Sequence, residues 1–268
     1  MKKIILLNSI FPILIFTGCG NENDEQNNTS EPQMLLSKIT TTDYKNPSNI
    51  TTSITSLNYN SNKQLINISS ENRLTTVEYD NNGKPSKTTY YKADGTVSFY
   101  TNYIYSGDQL TTAKSIFTNI ENNQTSTYTY ANGKVTAINH CQTTNCSNPS
   151  TDSYTYNGKN ISSEILLSNG LNGASSVTKR DFSYDNKTNP YSLFNKDYRI
   201  SISGPQFLSQ NNYTSEKISK KDGSGNWIQI ENINYEIQYN SAQLPTQVIG
   251  KSTSGANYVK YNYEYILQ

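Results

Sequence analysis

Few residues in this chain of 268 are of types that do chemistry, and their spacing restricts what chemistry is open to them. The one histidine, His140, stands beside Cys141 in the run His140-Cys141-Gln142-Thr143-Thr144-Asn145-Cys146. A Ser-His-Asp or Cys-His centre would have to use it. Cys141 and Cys146 share one polar loop and are expected to be bonded to each other, and a thiol in a disulfide is no nucleophile. The chain also has no Gly-x-Ser-x-Gly elbow, so His140 reads as a solvated loop residue. Two thiols and one imidazole are too few for zinc, and no calcium-type loop with a closing Glu is present, so no metal is expected. The glycine-bearing segments 169–173 and 222–225 lead neither into Gly-Lys-Ser/Thr nor into a helix. They read as turns, and no cofactor is expected.

A glycosidase needs two carboxylates about 5–9.5 Å apart, one with a raised pKa. Glu164, Glu216, Glu231 and Glu236 are the strand-borne candidates, and most other acids fall in turns or on polar faces. The expectation is that the chain is not an enzyme. Aromatic rings are the other candidate chemistry, with 22 Tyr against 7 Phe and 1 Trp. Hydrophobic content is only 33% and mean hydropathy is −0.72, so a core must be built largely from tyrosine, which packs by its ring and satisfies its hydroxyl separately. Tyr105, Tyr130, Tyr156, Tyr184 and Tyr239 are therefore expected to be core. Trp227 directly follows a polar turn and is singled out as a binding residue for a glycan or protein ligand.

These residues are placed by an exported chain. Met1-Lys2-Lys3 followed by the apolar run 4–16 is too short to span about 30 Å of hydrocarbon and reads as a signal peptide, residues 1–18. Phe16-Thr17-Gly18-Cys19 resembles the bacterial lipobox, which makes Cys19 the lipidated residue and the membrane its partner through acyl chains. Residues 19–33 form a polar tether without apolar residues to bury. Its acids resemble the surface-export signal of Bacteroidota lipoproteins, which implies an outer-membrane anchor facing the periplasm or the cell surface. Residues 34–268 are expected to be one domain and a monomer. The net charge of +1 gives no footprint for nucleic acid.

The domain is organised by a repeat. Tyr103-Ile104-Tyr105, Tyr128-Thr129-Tyr130 and Tyr154-Thr155-Tyr156 each run into a turn, Ser106-Gly107-Asp108, Ala131-Asn132-Gly133 or Asn157-Gly158-Lys159. Weaker copies end at Tyr59, Tyr79, Tyr184 and Tyr239, with a spacing of 25–28 residues over 79–184. Each unit predicts a β-hairpin. If Asn132-Gly133 is a two-residue turn, Tyr130 faces Val135 and Tyr128 faces Ala137. The same five-residue offset joins Tyr105 to Leu110, Tyr156 to Ile161 and Tyr239 to Leu244. An offset of six joins Tyr59 to Leu65 and Tyr79 to Pro85, with Asn62 or Gly83 at positive φ. The fold expected is all-β, a large twisted antiparallel meander of roughly 14–18 strands, curled or partly closed.

These cores resemble YD (RHS-like) repeats, and the body resembles uncharacterised, DUF4595-like lipoproteins of Bacteroidota. The piece that carries this most is 182–191, Phe-Ser-Tyr-Asp-Asn-Lys-Thr-Asn-Pro-Tyr, with 207–212 and the ending Tyr261-Asn262-Tyr263-Glu264-Tyr265. The resemblance implies an anchored β-sheet lipoprotein and no particular activity. Non-catalytic binding of a ligand or partner, or envelope support, is the expected role. A lipid or lipoprotein carrier with a curved sheet, and a glycan hydrolase, are the alternatives.

Overall fold

The structure, a computed structural model, describes residues 33–71, 73–142, 146, 149–169 and 175–268. The expected signal peptide, Cys19 and all of the expected tether but Gln33 lie outside the described residues. Sixteen strands follow one another: β1 Met34–Asp43, β2 Thr51–Tyr59, β3 Leu65–Ser70, β4 Arg73–Tyr79, β5 Pro85–Tyr91, β6 Val97–Ser106, β7 Gln109–Phe117 and β8 Gln124–Ala131; then β9 Lys134–Cys141, β10 Ser150–Asn157, β11 Asn160–Asn169, β12 Ser175–Thr188, β13 Asn211–Lys221, β14 Trp227–Tyr239, β15 Pro245–Lys251 and β16 Asn257–Leu267. Each pairs antiparallel with the next, and β16 pairs with β1, so the sheet is a closed barrel rather than a partly closed meander. Closure is sealed by reciprocal backbone bonds between Gln33 and Gln268, which leaves no strand edge bare.

The tyrosine hairpins have the expected register. Tyr105 faces Leu110, Tyr130 faces Val135 and Tyr156 faces Ile161, while Tyr59 faces Leu65 and Tyr79 faces Pro85. Asn132 and Gly133 both have positive φ, 51° and 73°, as a two-residue hairpin turn requires. Three details differ. Tyr239 faces Pro245 and not Leu244, because Asn240–Leu244 closes as a longer loop with Gln243 at positive φ. Lys63 takes the positive φ expected of Asn62. Tyr128 faces Ile138 and not Ala137, because a β-bulge lies between Thr129 and Tyr130.

That bulge recurs beside Tyr59, Tyr79, Tyr105, Tyr156 and Tyr239. It takes one residue out of the ladder, and in four hairpins this residue is Thr111, Thr136, Ser162 or Thr246, whose hydroxyl donates to a carbonyl across the pair. The carbonyl of the residue before it accepts from the next hairpin's tyrosine. Tyr130 donates to Leu110 O at 2.8 Å, Tyr156 to Val135 O at 2.9 Å and Tyr184 to Ile161 O at 2.7 Å. Tyr59, Tyr79, Tyr105 and Tyr265 do the same to the carbonyls of Leu36, Leu65, Pro85 and Pro245. Tyr239 alone departs, donating to the Asp185 carboxylate. A belt of tyrosines thus stitches each hairpin to the one before it, one ring per hairpin around the barrel.

The belt lies at the end of the barrel where β1 begins. The β12–β13 connection crosses this end as a plug: a 3-10 turn Pro190–Leu193, helix α1 Lys196–Ile202 and the short helix α2 Pro205–Leu208. Asn195 caps α1 by accepting from the Asp197 and Tyr198 amides. Phe194 and Tyr198 pack into a core with Leu36, Leu57, Leu65, Val77 and Val248, and Ile200 into a second with Leu110, Val135, Ile138 and Ile161. The plug was not expected; its helices are too short to show a helical period. The wall between plug and far end points its other residues outward, and most of those on β8, β14 and β16 are polar: Thr125, Thr127 and Thr129, then Asn232, Asn234, Glu236 and Gln238, then Lys260, Asn262 and Glu264, with exposed apolar side chains scattered over the strands at Ile54, Ile104, Ile165, Ile228, Ile230 and Ile266. Cross-strand pairs Lys38–Glu264, Lys87–Glu78 and Lys251–Glu236 lie on this surface. A membrane-spanning barrel carries the opposite pattern, an apolar outer band about 25 Å tall around a polar interior.

Candidate functional site

Inside the wall, beyond the plug, a lane of polar side chains crosses adjacent strands. On β8, β9 and β10, Ser126 Oγ lies 2.8 Å from His140 Nδ1, and His140 Nε2 lies 3.3 Å from Asp152 Oδ2. The strand pairing makes this arrangement, since His140 is directly opposite both Ser126 and Ser150. On β11, β12 and β13, Arg180 donates through Nε to Glu164 Oε2 at 2.5 Å, also pairs with that carboxylate through Nη2, and reaches Glu216 Oε1 through Nη1 at 3.3 Å. Tyr235 on β14 donates to the other Glu216 oxygen at 3.0 Å. Glu164 is 1% exposed. Burial lifts its carboxyl to about 7 against the opposing pull of Arg180, with Asp152 and Glu216 adding to the rise. Tyr154, between the two groups on β10, has a buried hydroxyl directed at Ser203 and Gly204 of the plug.

Part of this lane was anticipated and part was not. Glu164 and Glu216 are brought together, but by an arginine that neutralises both. Glu236 is outside, paired with Lys251, and Glu231 turns onto the Asn232 amide and Thr253. His140 is a strand residue with a partner on each ring nitrogen, which corrects its reading as a solvated loop residue. Ser126 and Arg180 went unremarked, because a residue's partners across a barrel follow from register and not from spacing along the chain. Cys141 and Cys146 form a disulfide just past His140. Among the described residues no three His, Cys, Asp or Glu stand close enough to hold a metal.

Chemically the lane offers donors and acceptors held by a rigid sheet. Ser126 meets His140 through Nδ1, and Asp152 meets it through Nε2, all three carried by neighbouring strands.

A further concave, aromatic surface lies at the far end. Tyr90, Phe99 and Phe117 stack across β5, β6 and β7 with centroids 4.1 and 4.4 Å apart, beside a cleft of about 600 Å³ lined by Arg73, Leu74, Tyr91 and Lys92. Trp227 begins β14 at this end, 38% exposed, with Lys221 Nζ 5.3 Å from its ring and with Ile228 and Ile230 exposed nearby.

The fold defines a class, the closed antiparallel β-barrel with a helical plug. Among the solved structures that match this chain are two porin-like proteins. A porin-like protein from Bacteroides uniformis matches with a TM-score of 0.54 at 15% identity, over 86% of this chain and 96% of its own. A porin-like protein from Bacteroides vulgatus matches with a TM-score of 0.51 at 10% identity, over 87% of this chain and 99% of its own. At such identities the likeness is one of fold. No family model matches the chain, and no curated protein matches it.

Proposed function

We propose that this chain is a lipid-anchored, extracytoplasmic barrel that works in water and binds a glycan or peptide at the end away from its plug. The observation that carries this reading is the direction of the wall. Polar residues and ion pairs dominate the outward rows, with apolar side chains exposed only singly or in short runs such as Ile228 and Ile230, while rings, a plug and a hydrogen-bonded lane lie inside, an arrangement that supports a scaffold over a pore. The anchor rests on the lipobox-like sequence at Cys19, and an outer-membrane location on that and on the acidic tether.

Fatty-acid labelling in a lipoprotein-processing host is expected to mark the wild type and not Cys19→Ala; equal labelling of both would remove the anchor. Glycan and peptide arrays probed with residues 33–268 test the binding. Trp227→Ala is expected to cost about 1–3 kcal/mol of affinity, a fall of roughly 5- to 150-fold. Unchanged binding would move the site away from this end.

A hydrolase is the second reading, favoured by the raised Glu164 carboxyl and the Ser126–His140–Asp152 chain. Turnover of an array ligand that Glu164→Gln or His140→Ala abolishes, with the fold intact, would put it first. The carrier reading draws no support from the cavity beside the plug lined by Tyr191, Tyr213 and Tyr263, which at about 30 Å³ is too small for an acyl chain.

A further inference from the structure

At the plug end, a cleft of about 290 Å³ opens between helix α1 and the tight turns of β8–β9 and β10–β11. Four cationic side chains line it: Lys134 and Lys159 from the turns, Lys196 and Arg199 from the plug. Gln210 and the Tyr156 ring complete its polar wall. Two of the four are partly engaged. Lys134 Nζ donates to Gly158 O and lies 5.0 Å from the centre of the Tyr156 ring. Arg199 donates through Nε to Phe207 O at 2.6 Å and through Nη2 to Ser209 O at 3.4 Å, which leaves Nη1 and one further N–H without a partner among the described residues.

Among the described residues none of the four is in a salt bridge, and only Lys196 feels carboxylates, those of Asp197 and Asp108. Arg199 is held among carbonyls, and burial pulls its guanidinium below the ordinary arginine value, with only Tyr156 opposing. Asp197 interacts with Lys196 but also with Lys84, and feels the Asp108 and Asp80 carboxylates. The Lys84 amine is taken up by Asp108 and Gly107 O. Lys134 and Arg199 are half-buried and Lys159 and Lys196 are exposed at the rim, and a preformed concavity lined by four cations is complementary to an anion. Bulk charge hides this, since the chain as a whole carries only +1.

We infer that the cleft between α1 and the 132–133 and 158–159 turns is a binding site for a phosphate group, either free or as the headgroup of an anionic lipid. Lys159 and Lys196 supply mobile ammonium groups, and Arg199 supplies the unspent face of a fixed guanidinium. The site is on the opposite end of the barrel from Trp227, so it stands or falls apart from the glycan or peptide reading.

The test uses the full lipidated chain. Inorganic phosphate and glycerol phosphate are titrated in non-ionic detergent. In parallel, the reactivity of Lys159 and Lys196 toward an amine-acylating reagent is compared in phosphatidylcholine vesicles with and without phosphatidylglycerol. Lys159→Ala/Lys196→Ala leaves the carbonyl-bonded Arg199 and Lys134 in place, and Lys220→Ala, at the far end, is the control. Saturable phosphate binding that weakens at least tenfold in the double variant and not in the control supports the site with a soluble ligand. Shielding of the two lysines only by phosphatidylglycerol supports it with a lipid headgroup. No binding and no shielding in either arm, or the same binding in the double variant, overturns it.

Discussion

Arg180→Ala is expected to destabilise the barrel by about 3–5 kcal/mol at pH 8, because it leaves two buried carboxylates without their shared cation. The loss should shrink toward pH 5. In the wild type Glu164 already titrates near 7, above its ordinary value of 4.5, through burial. Protonation of such a group favours the folded state below the unfolded value, and that contribution disappears as pH rises through the folded value. Without the guanidinium's opposing pull, Glu164 in the variant titrates higher still, so the penalty grows with pH. Urea denaturation at pH 5 and pH 8 reads both effects. A loss below 1 kcal/mol, the same at both pH values, would mean that Arg180 is not the partner of these carboxylates.

Tyr184→Ala is expected to cost about 3–5 kcal/mol, as for other large rings removed from a core. Tyr184→Phe should cost about 1–3 kcal/mol, because it strands the groups that its hydroxyl serves. That hydroxyl donates to Ile161 O and lies 3.0 Å from Ser209 Oγ, and the same Ser209 oxygen accepts from the Ile161 amide. The tyrosine therefore ties the belt to the plug. Limited proteolysis of the phenylalanine variant should cut first within 189–210. A variant as stable as the wild type would mean that the belt's hydrogen bonds contribute nothing beyond the rings.

Much of this architecture was legible in the sequence, for an identifiable reason. A hairpin is local, so Tyr130, Asn132-Gly133 and Val135 contain their own register. The Thr or Ser at 111, 136, 162 and 246 directly follows the residue facing the tyrosine. It was a readable bulge signal that the two-residue spacing of tyrosines overshadowed. Closure was not readable, because the β1–β16 seam joins residues at opposite ends of the domain and depends on strand number and tilt. The plug was hidden by helices of seven and four residues. The interior lane was half visible: Glu164 and Glu216 could be named as strand carboxylates, but not the Arg180 that lies between them, nor the pairing of His140 with Ser126 and Asp152.

The central claim is that this barrel faces water, and detergent phase partitioning of residues 33–268, made without the lipidated cysteine, measures it most directly. The polar outer wall predicts recovery in the aqueous phase as a folded monomer without detergent. Recovery in the detergent phase, or conductance steps when the same protein is added to a planar bilayer, would contradict the account.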